Sequence, residues 1–470
     1  MASSPINYTA ILPESEEIHI EDIIINIPKE IKPALHEICC IYKVPPNLRK
    51  LNNGESYTPL LISIGPFHHA KEELKPMQTQ KQRYFHAFWK RVTNKKSLVK
   101  YKNFLKDKEN IEMIKNFYSE FDDENIKDDE FVDMIMLDSV FILELFLRKS
   151  KESEREKDYM FTTSWICKAI QRDLLLLENQ LPIFVLEQLH HKVFKDSNNG
   201  FKFLELAFNY FENFNPQRSN KHQHEEMLKN CKSCNHFTDL IRCFYLPKEV
   251  HDEKWSRSEN FTNVNSEDKC ILKTAKMLHD AGVSFEKVNQ KSLLEIKFDK
   301  VQVLNWFLCL GCLPCFKFVK SKLLMSQFKV SQNKECILRN LIALEQCHYS
   351  EQPFICNYVS LIDSLINTQE DVEILVDKEI IAHELGSHAE LATMINGLCK
   401  NVVVTCNYYG KTSKKLNSHY YNSWKNYMGV LRSVYFRDPW RFTSVIVGVV
   451  IFLVAIVNLL RLTGVYHPRY

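Results

Sequence analysis

Three short runs in this chain hold the side chains best suited to chemistry, and all three are rich in histidine or cysteine. His383-Glu384-Leu385-Gly386-Ser387-His388 has the residue types of a zinc-protease helix, with Glu beside the first His. That site needs imidazoles four residues apart on one helical face. Here the second His comes five positions after the first, which turns its ring away, and Gly386 interrupts the helix, so a surface or capping role is expected. Cys231-x-x-Cys234-x-His236, with His222 and His224 nearby, offers soft ligands for zinc. No fourth ligand stands at an accepted spacing, and a polar loop is expected. Cys309-x-x-Cys312-x-x-Cys315 has iron–sulfur-like spacing but lacks the fourth Cys followed by Pro. Its surroundings, NWFLCLGCLPCFKF, are apolar, so core packing is expected, with a membrane-dipping loop or palmitoylation as alternatives. G-x-S-x-G, a P-loop lysine and G-x-G-x-x-G are all missing. The expectation is therefore no catalytic set, no cofactor and no metal.

The elements that would position such residues read as mostly helical. Gly (11) and Pro (16) are scarce in 470 residues, which disfavours a turn-rich sandwich or barrel. Ile41 to His69 is the exception: Pro45-Pro46, Asn53-Gly54 and Gly65-Pro66 punctuate short β-leaning runs, predicting an ordered loop with a strand at Leu60 to Ile64. Beyond Glu72, Met77, Tyr84, Phe85, Phe88 and Trp89 recur at helical spacing. Val132 to Leu147 places Val132, Ile135, Met136, Val140, Leu143, Phe146 and Leu147 on one face, predicting a core helix. The charged run Lys149 to Asp158 predicts a solvated loop, and Pro182 predicts a break near Asn179 to Leu181 in the helical stretch Ile170 to Leu189. Asn213 to Asn235 and Pro247 to Lys269 read as loops. Helices follow at Lys269 to Ala281, Glu335 to Gln346, Pro353 to Ile366, Val372 to Leu385 and His388 to Lys400, closed by turn residues such as Gly282, Gly386 and Asn401. Lys291 to Phe298 alternates as a strand would, and KTSKKLNSH reads as a polar connection.

Sixty-one basic against 58 acidic residues leave only +3, so no overall field draws the chain to nucleic acid. The fifteen cysteines stand mostly singly in apolar helical surroundings, as Cys167, Cys243, Cys270 and Cys399 do, and no signal peptide is evident. Reduced, buried thiols in an intracellular chain are expected.

Phe442 to Leu460, FTSVIVGVVIFLVAIVNLL, carries no charge over nineteen residues. As a helix it nearly covers the ~30 Å of bilayer hydrocarbon, so a transmembrane helix is expected there. Trp424, Tyr427, Tyr435, Phe436 and Trp440 before it and Tyr466 after it fit interfacial belts. Lys425, Arg432, Arg437 and Arg441 precede it and only Arg461 and Arg469 follow, which keeps the N-terminal body cytosolic. Sugar attached at Asn260, in Asn260-Phe261-Thr262, would overturn that topology.

Three segments are more specific than anonymous helices. The first joins Tyr57-Thr58-Pro59 to Ser63-Ile64-Gly65-Pro66-Phe67-His68-His69 and a helix containing Lys81. The second joins Met136 to Glu144, with Asp138, to Asp173 to Pro182, with Glu178-Asn179-Gln180-Leu181-Pro182. The third is Arg339-Asn340-Leu341-Ile342-Ala343-Leu344-Glu345-Gln346. Together they resemble the plant family catalogued as domain of unknown function 247, over about Ile38 to Leu462. The resemblance implies a single-pass plant membrane protein with no catalytic residues to carry over. Some grass members are associated with pollen–stigma self-incompatibility, which implies recognition rather than chemistry. An apolar insertion at Asn305 to Leu323 departs from the family pattern. Gly65, Pro66, His68, His69, Asp138, Glu178, Asn179, Gln180, Pro182, Asn340, Glu345 and Gln346 are expected to maintain the fold.

The expected architecture is mainly α: a tail at 1–19, one helical body with minor β elements at 20–405, a juxtamembrane segment at 406–441, the transmembrane helix at 442–460 and a tail at 461–470. The expected function is that of a non-enzymatic, membrane-anchored interaction or signalling component at the plasma membrane or an endomembrane. Its partners would be the lipid bilayer and a protein, with no nucleic acid. The alternative is a membrane-bound, hydrolase-like enzyme whose site is assembled from distant residues.

Overall fold

Helix formation follows the apolar periodicity closely enough that most predicted helices exist, with shifted ends. The computed structural model describes residues 35–52, 54–121, 126–194, 202–216, 221–247, 250, 262–263, 272–289, 292–300, 321–331, 333–421 and 439–462. The chain divides into a unit Met1–Glu37 and a unit Ile38–Tyr470.

Its first half carries α1 (Lys75–Arg91), α2 (Lys96–Lys106), α3 (Lys108–Lys115), α4 (Asp128–Ser150), α5 (Ser164–Asp173), α6 (Ile183–Phe194), α7 (Phe203–Tyr210), α8 (Lys221–Asn230) and α9 (Phe237–Tyr245). Its second half carries β1 (Thr262–Asn263), α10 (Ala275–Asp280), β2 (Ser284–Val288), β3 (Lys297–Asp299), β4 (Lys322–Ser326) and β5 (Phe328–Val330). Then come α11 (Lys334–Cys347), α12 (Phe354–Leu365), α13 (Gln369–Asp377), β6 (Ile381–His383), α14 (His388–Leu398), β7 (Cys406–Asn407), α15 (Gly410–Tyr421) and α16 (Pro439–Leu462).

Two helices run through the middle. α4 starts with Asp128, Asp129 and Glu130 and ends near Arg148 and Lys149, which suits the helix dipole at both ends. It buries residues on every face from Phe131 to Phe146 and is packed by α1, α2, α6 and α7. α11 is buried continuously from Cys336 to Glu345, against α9, α12, α14 and the turn Glu55–Tyr57. One apolar core extends from Cys40 to Leu416, and a smaller cluster joins Tyr42, Val44 and Tyr57 to Leu177 and Leu344. The sheets are small: β1 pairs antiparallel with β7, β4 lies between parallel β2 and antiparallel β3, and β5 pairs parallel with β6.

Several expectations are corrected. Leu60 to Ile64 is not a strand, because its amides are taken by side chains rather than by a ladder. The helix before Pro182 ends at Asp173, earlier than the proline alone requires. In the run Lys149 to Asp158, Asp158 is buried rather than solvated, held by Tyr84 and Arg148. The segment Asn213 to Asn235 contains α8, and KTSKKLNSH lies in α15 with Leu416 and His419 buried. The helix expected to reach Leu385 stops at Asp377, where Glu379 takes φ +56° and the chain turns into β6. Only Lys297–Asp299 forms a strand of the expected Lys291 to Phe298. The helix expected to reach Lys400 stops at Leu398, and Asn401 takes φ +60° in the turn that follows it. Cys309, Cys312, Cys315, Cys270 and Asn260 lie outside the described residues.

Candidate functional site

The break between α5 and α6 is where polar chemistry concentrates. Asp173, the last residue of α5, is fully buried and accepts the amides of Leu60 (2.9 Å), Leu61 (2.7 Å) and Ile62 (3.1 Å), with Arg172 at 2.9 Å. Burial raises its carboxyl above the usual range, and the three amides and Arg172 oppose that shift. Asn179 Oδ1 accepts Ile64 N at 2.6 Å, while its Nδ2 donates to Ile62 O and Asp173 O, both at 2.9 Å. Gln180 Nε2 donates to Leu174 O and Leu176 O at 2.7 Å, and its Oε1 accepts Phe237 N at the start of α9. Side-chain amides thus supply the hydrogen bonds that the interrupted helix lacks. Pro182 sits one position before α6.

Gly65 is held against this break. Its φ is +72°, and a Cβ there would lie 2.6 Å from Gln180 O, so glycine is required twice over. Its N–H donates to Asp138 Oδ2 at 2.9 Å, and the other Asp138 oxygen meets Lys81 Nζ, which also donates to Ser63 O at 2.6 Å. Pro66 O accepts His69 N in the following turn, and His69 Nε2 stands 3.8 Å from Glu130. His68 Nε2 lies 3.1 Å from Glu178 Oε2, out of line for a hydrogen bond. Glu178 also takes Arg49 and the amide of Val44 at 2.7 Å. Burial alone would raise the Glu178 carboxyl, but these cationic and N–H neighbours hold it below the usual range.

α11 ties the second half to the same break. Asn340 Oδ1 accepts Leu177 N at 2.9 Å, and its Nδ2 donates to Ser56 O and Cys336 O. Glu345 pairs with Arg242 at 2.9 Å and accepts Cys356 N at 2.9 Å. Burial pushes its carboxyl up, against Arg242 and the amides. Gln346 clasps the backbone of Val403, donating to its O at 2.8 Å and accepting its N–H at 2.9 Å. Arg172 and Arg242, and Arg91 and Arg148, which gather Glu144 and Asp158, were not singled out from the sequence. Their only signal there was a charge inside an apolar helical period.

The histidine and cysteine runs separate. His383 is on β6 and His388 opens α14, with ring centroids 5.2 Å apart and no shared helical face. His236 caps α9, accepting Asp239 N at 3.3 Å through Nδ1, while its Nε2 meets Cys40 O at 3.1 Å. Cys231, Cys234 and Cys243 converge without it. A cleft of about 540 Å³ opens beside Asn213, Asn215, Lys287, Phe328, Lys329 and Lys334. Its lining offers the cationic Lys287, Lys329 and Lys334, the amides of Asn213, Asn215, Asn289 and Gln327, and the hydroxyls of Ser326 and Ser331.

The profile of a family described as "Plant protein of unknown function", DUF247, matches residues 41–454. The chain belongs to the DUF247 family. Its relatives include the UPF0481 protein At3g47200 of Arabidopsis thaliana, 30% identical across 88% of this chain and 84% of that protein. Another is the UPF0481 protein At3g02645 of Arabidopsis thaliana, 22% identical across 93% of this chain and 94% of that one. No solved structure matches. The DUF247 match begins at Ile41, takes in the loop 60–64 that Asp173 and Asn179 hold and α11, and runs into α16. Among the described residues no helix is long and apolar enough to cross a membrane. The described side chains of α16 are those at 443–444 and 446–459.

Proposed function

We propose that this DUF247 protein is a membrane-tethered recognition component whose body works from the cytosolic face. The observation that carries the reading is the apolar surface of α16. Ile446, Val450, Ile451, Phe452, Leu453, Val454 and Val457 are all exposed. Water solvates such a run poorly, and a helix whose apolar side chains point outward all round is matched to lipid. With Phe442, Val445 and Leu460 added from the sequence, the uncharged stretch nearly reaches the ~30 Å of hydrocarbon. Four basic residues before it, Lys425, Arg432, Arg437 and Arg441, favour a cytosolic body.

Recognition is preferred to catalysis because the buried carboxylates at the break and Lys81 are already engaged. Lys81, Asp138, Asp173, Glu178 and Glu345 bond to backbone amides, carbonyls or each other. The cleft beside Lys287, Lys329 and Lys334 presents binding groups instead. Tethering would concentrate that surface near membrane partners. Proximity labelling in plant cells, comparing the full chain with one ending at Arg441, tests the reading. Distinct neighbour sets, with membrane proteins lost from the shorter chain, are expected; identical sets would contradict it.

A further inference from the structure

Three thiols from two elements meet under the start of α9. Cys231 opens a 3-10 turn, Cys231–Ser233, and Cys234 follows it, its amide returning to Cys231 O at 3.2 Å. That turn brings the two sulfurs of the C-x-x-C together. Cys243 reaches them from the buried face of α9. All three Sγ atoms lie within 4.8 Å of one another, and Cys231 and Cys243 approach to 2.7 Å. A thiophilic cation binding at about 2.3 Å holds its sulfurs about 3.8 Å apart in a tetrahedral site, so the cluster is compact enough and the Cys231–Cys243 pair must open by about 1 Å to take the ion.

The other donors nearby are occupied. His236 spends both ring nitrogens on Asp239 N and Cys40 O. Asp239 accepts Asn235 N at 3.0 Å and the Tyr349 hydroxyl at 2.8 Å. A disulfide between Cys231 and Cys243 would need an oxidant and would leave Cys234 unused, whereas one cation employs all three thiols. We propose that Cys231, Cys234 and Cys243 form a three-thiolate site for a soft d¹⁰ divalent cation, Zn²⁺. Its fourth position opens beside the partly exposed Cys234 and takes water or an incoming donor. Binding releases three thiol protons and changes no oxidation state. The cation links the turn after α8 to α9, the helix that Gln180 and Arg242 fasten to the core.

The test uses the full chain in detergent micelles under reductant, stripped with chelator and titrated with Co²⁺. A thiolate-to-cobalt charge-transfer band saturating at about one equivalent, and bleached by Zn²⁺, is expected. Cys243→Ser should lose the band, and so should Cys234→Ser, whose turn is partly exposed and whose folding can be checked by circular dichroism. A variant with Cys309, Cys312 and Cys315 all changed to Ser should keep it. Absence of the band in the unaltered chain would overturn the proposal. So would its survival in Cys243→Ser or Cys234→Ser, or its loss in the triple variant alone.

Discussion

The break between α5 and α6 and the helix α16 treat their surroundings in opposite ways. At the break, Asp173, Asn179 and Gln180 find partners in the loop 60–64, in α9 and in the interrupted helix itself. Along α16, Phe452 and Leu453 remain exposed, and the proposed function assigns lipid as their matching surface. The first region is a latch, and under the proposed function the second is an address. Function in this protein is better sought where the chemistry is unfinished than where its polar residues are densest.

If that division holds, changes at the latch lower stability without moving the protein between membrane and aqueous fractions. Lys81→Met leaves Asp138 buried without its cation, and a loss of about 4 kcal/mol is expected in denaturant unfolding of the full chain in detergent. The double change Lys81→Met with Asp138→Leu should be no worse than the single one, because the orphaned charge is gone. Gly65→Ala forces a Cβ against Gln180 O at a left-handed φ, with an expected cost of about 3 kcal/mol by the same measurement.

A pH series sharpens the same point. Burial pushes the His236 imidazole down to about 4, partly offset by Asp239 and Cys40 O. The fold therefore holds it neutral while the unfolded chain protonates near 6.5. Its contribution is complete above pH 6.5 and falls as pH drops toward 4, by about 3 kcal/mol in total. His236→Asn, which keeps an acceptor for Asp239 N, should flatten stability over that window; an unchanged slope would show that another group carries it. Gln346→Ala, at a partly exposed clasp on Val403, should cost only about 1 kcal/mol in thermal unfolding.

How far the sequence could be read follows the same division. Core helices such as α4 and α11 were legible because their apolar period has one interpretation, and the turn at Asn401 was legible from residue type. Asn179 and Gln180 beside Pro182 were expected to maintain the fold. Nothing local indicated that their partners lie at Ile64 and Phe237, or that Asn340 would reach Ser56 across 284 positions. The strand expected at Leu60 to Ile64 failed for that reason, since propensity cannot tell a ladder partner from an aspartate such as Asp173. Cys243 was read as an isolated core thiol because its companions come from a turn twelve residues earlier.

Alkaline carbonate extraction of plant membranes, run on the full chain and on a chain ending at Arg441, bears most directly on the tether. The full chain is expected in the pellet and the shorter one in the supernatant. Release of the intact protein into the supernatant, or retention of both in the pellet, would contradict an anchor at 442–460.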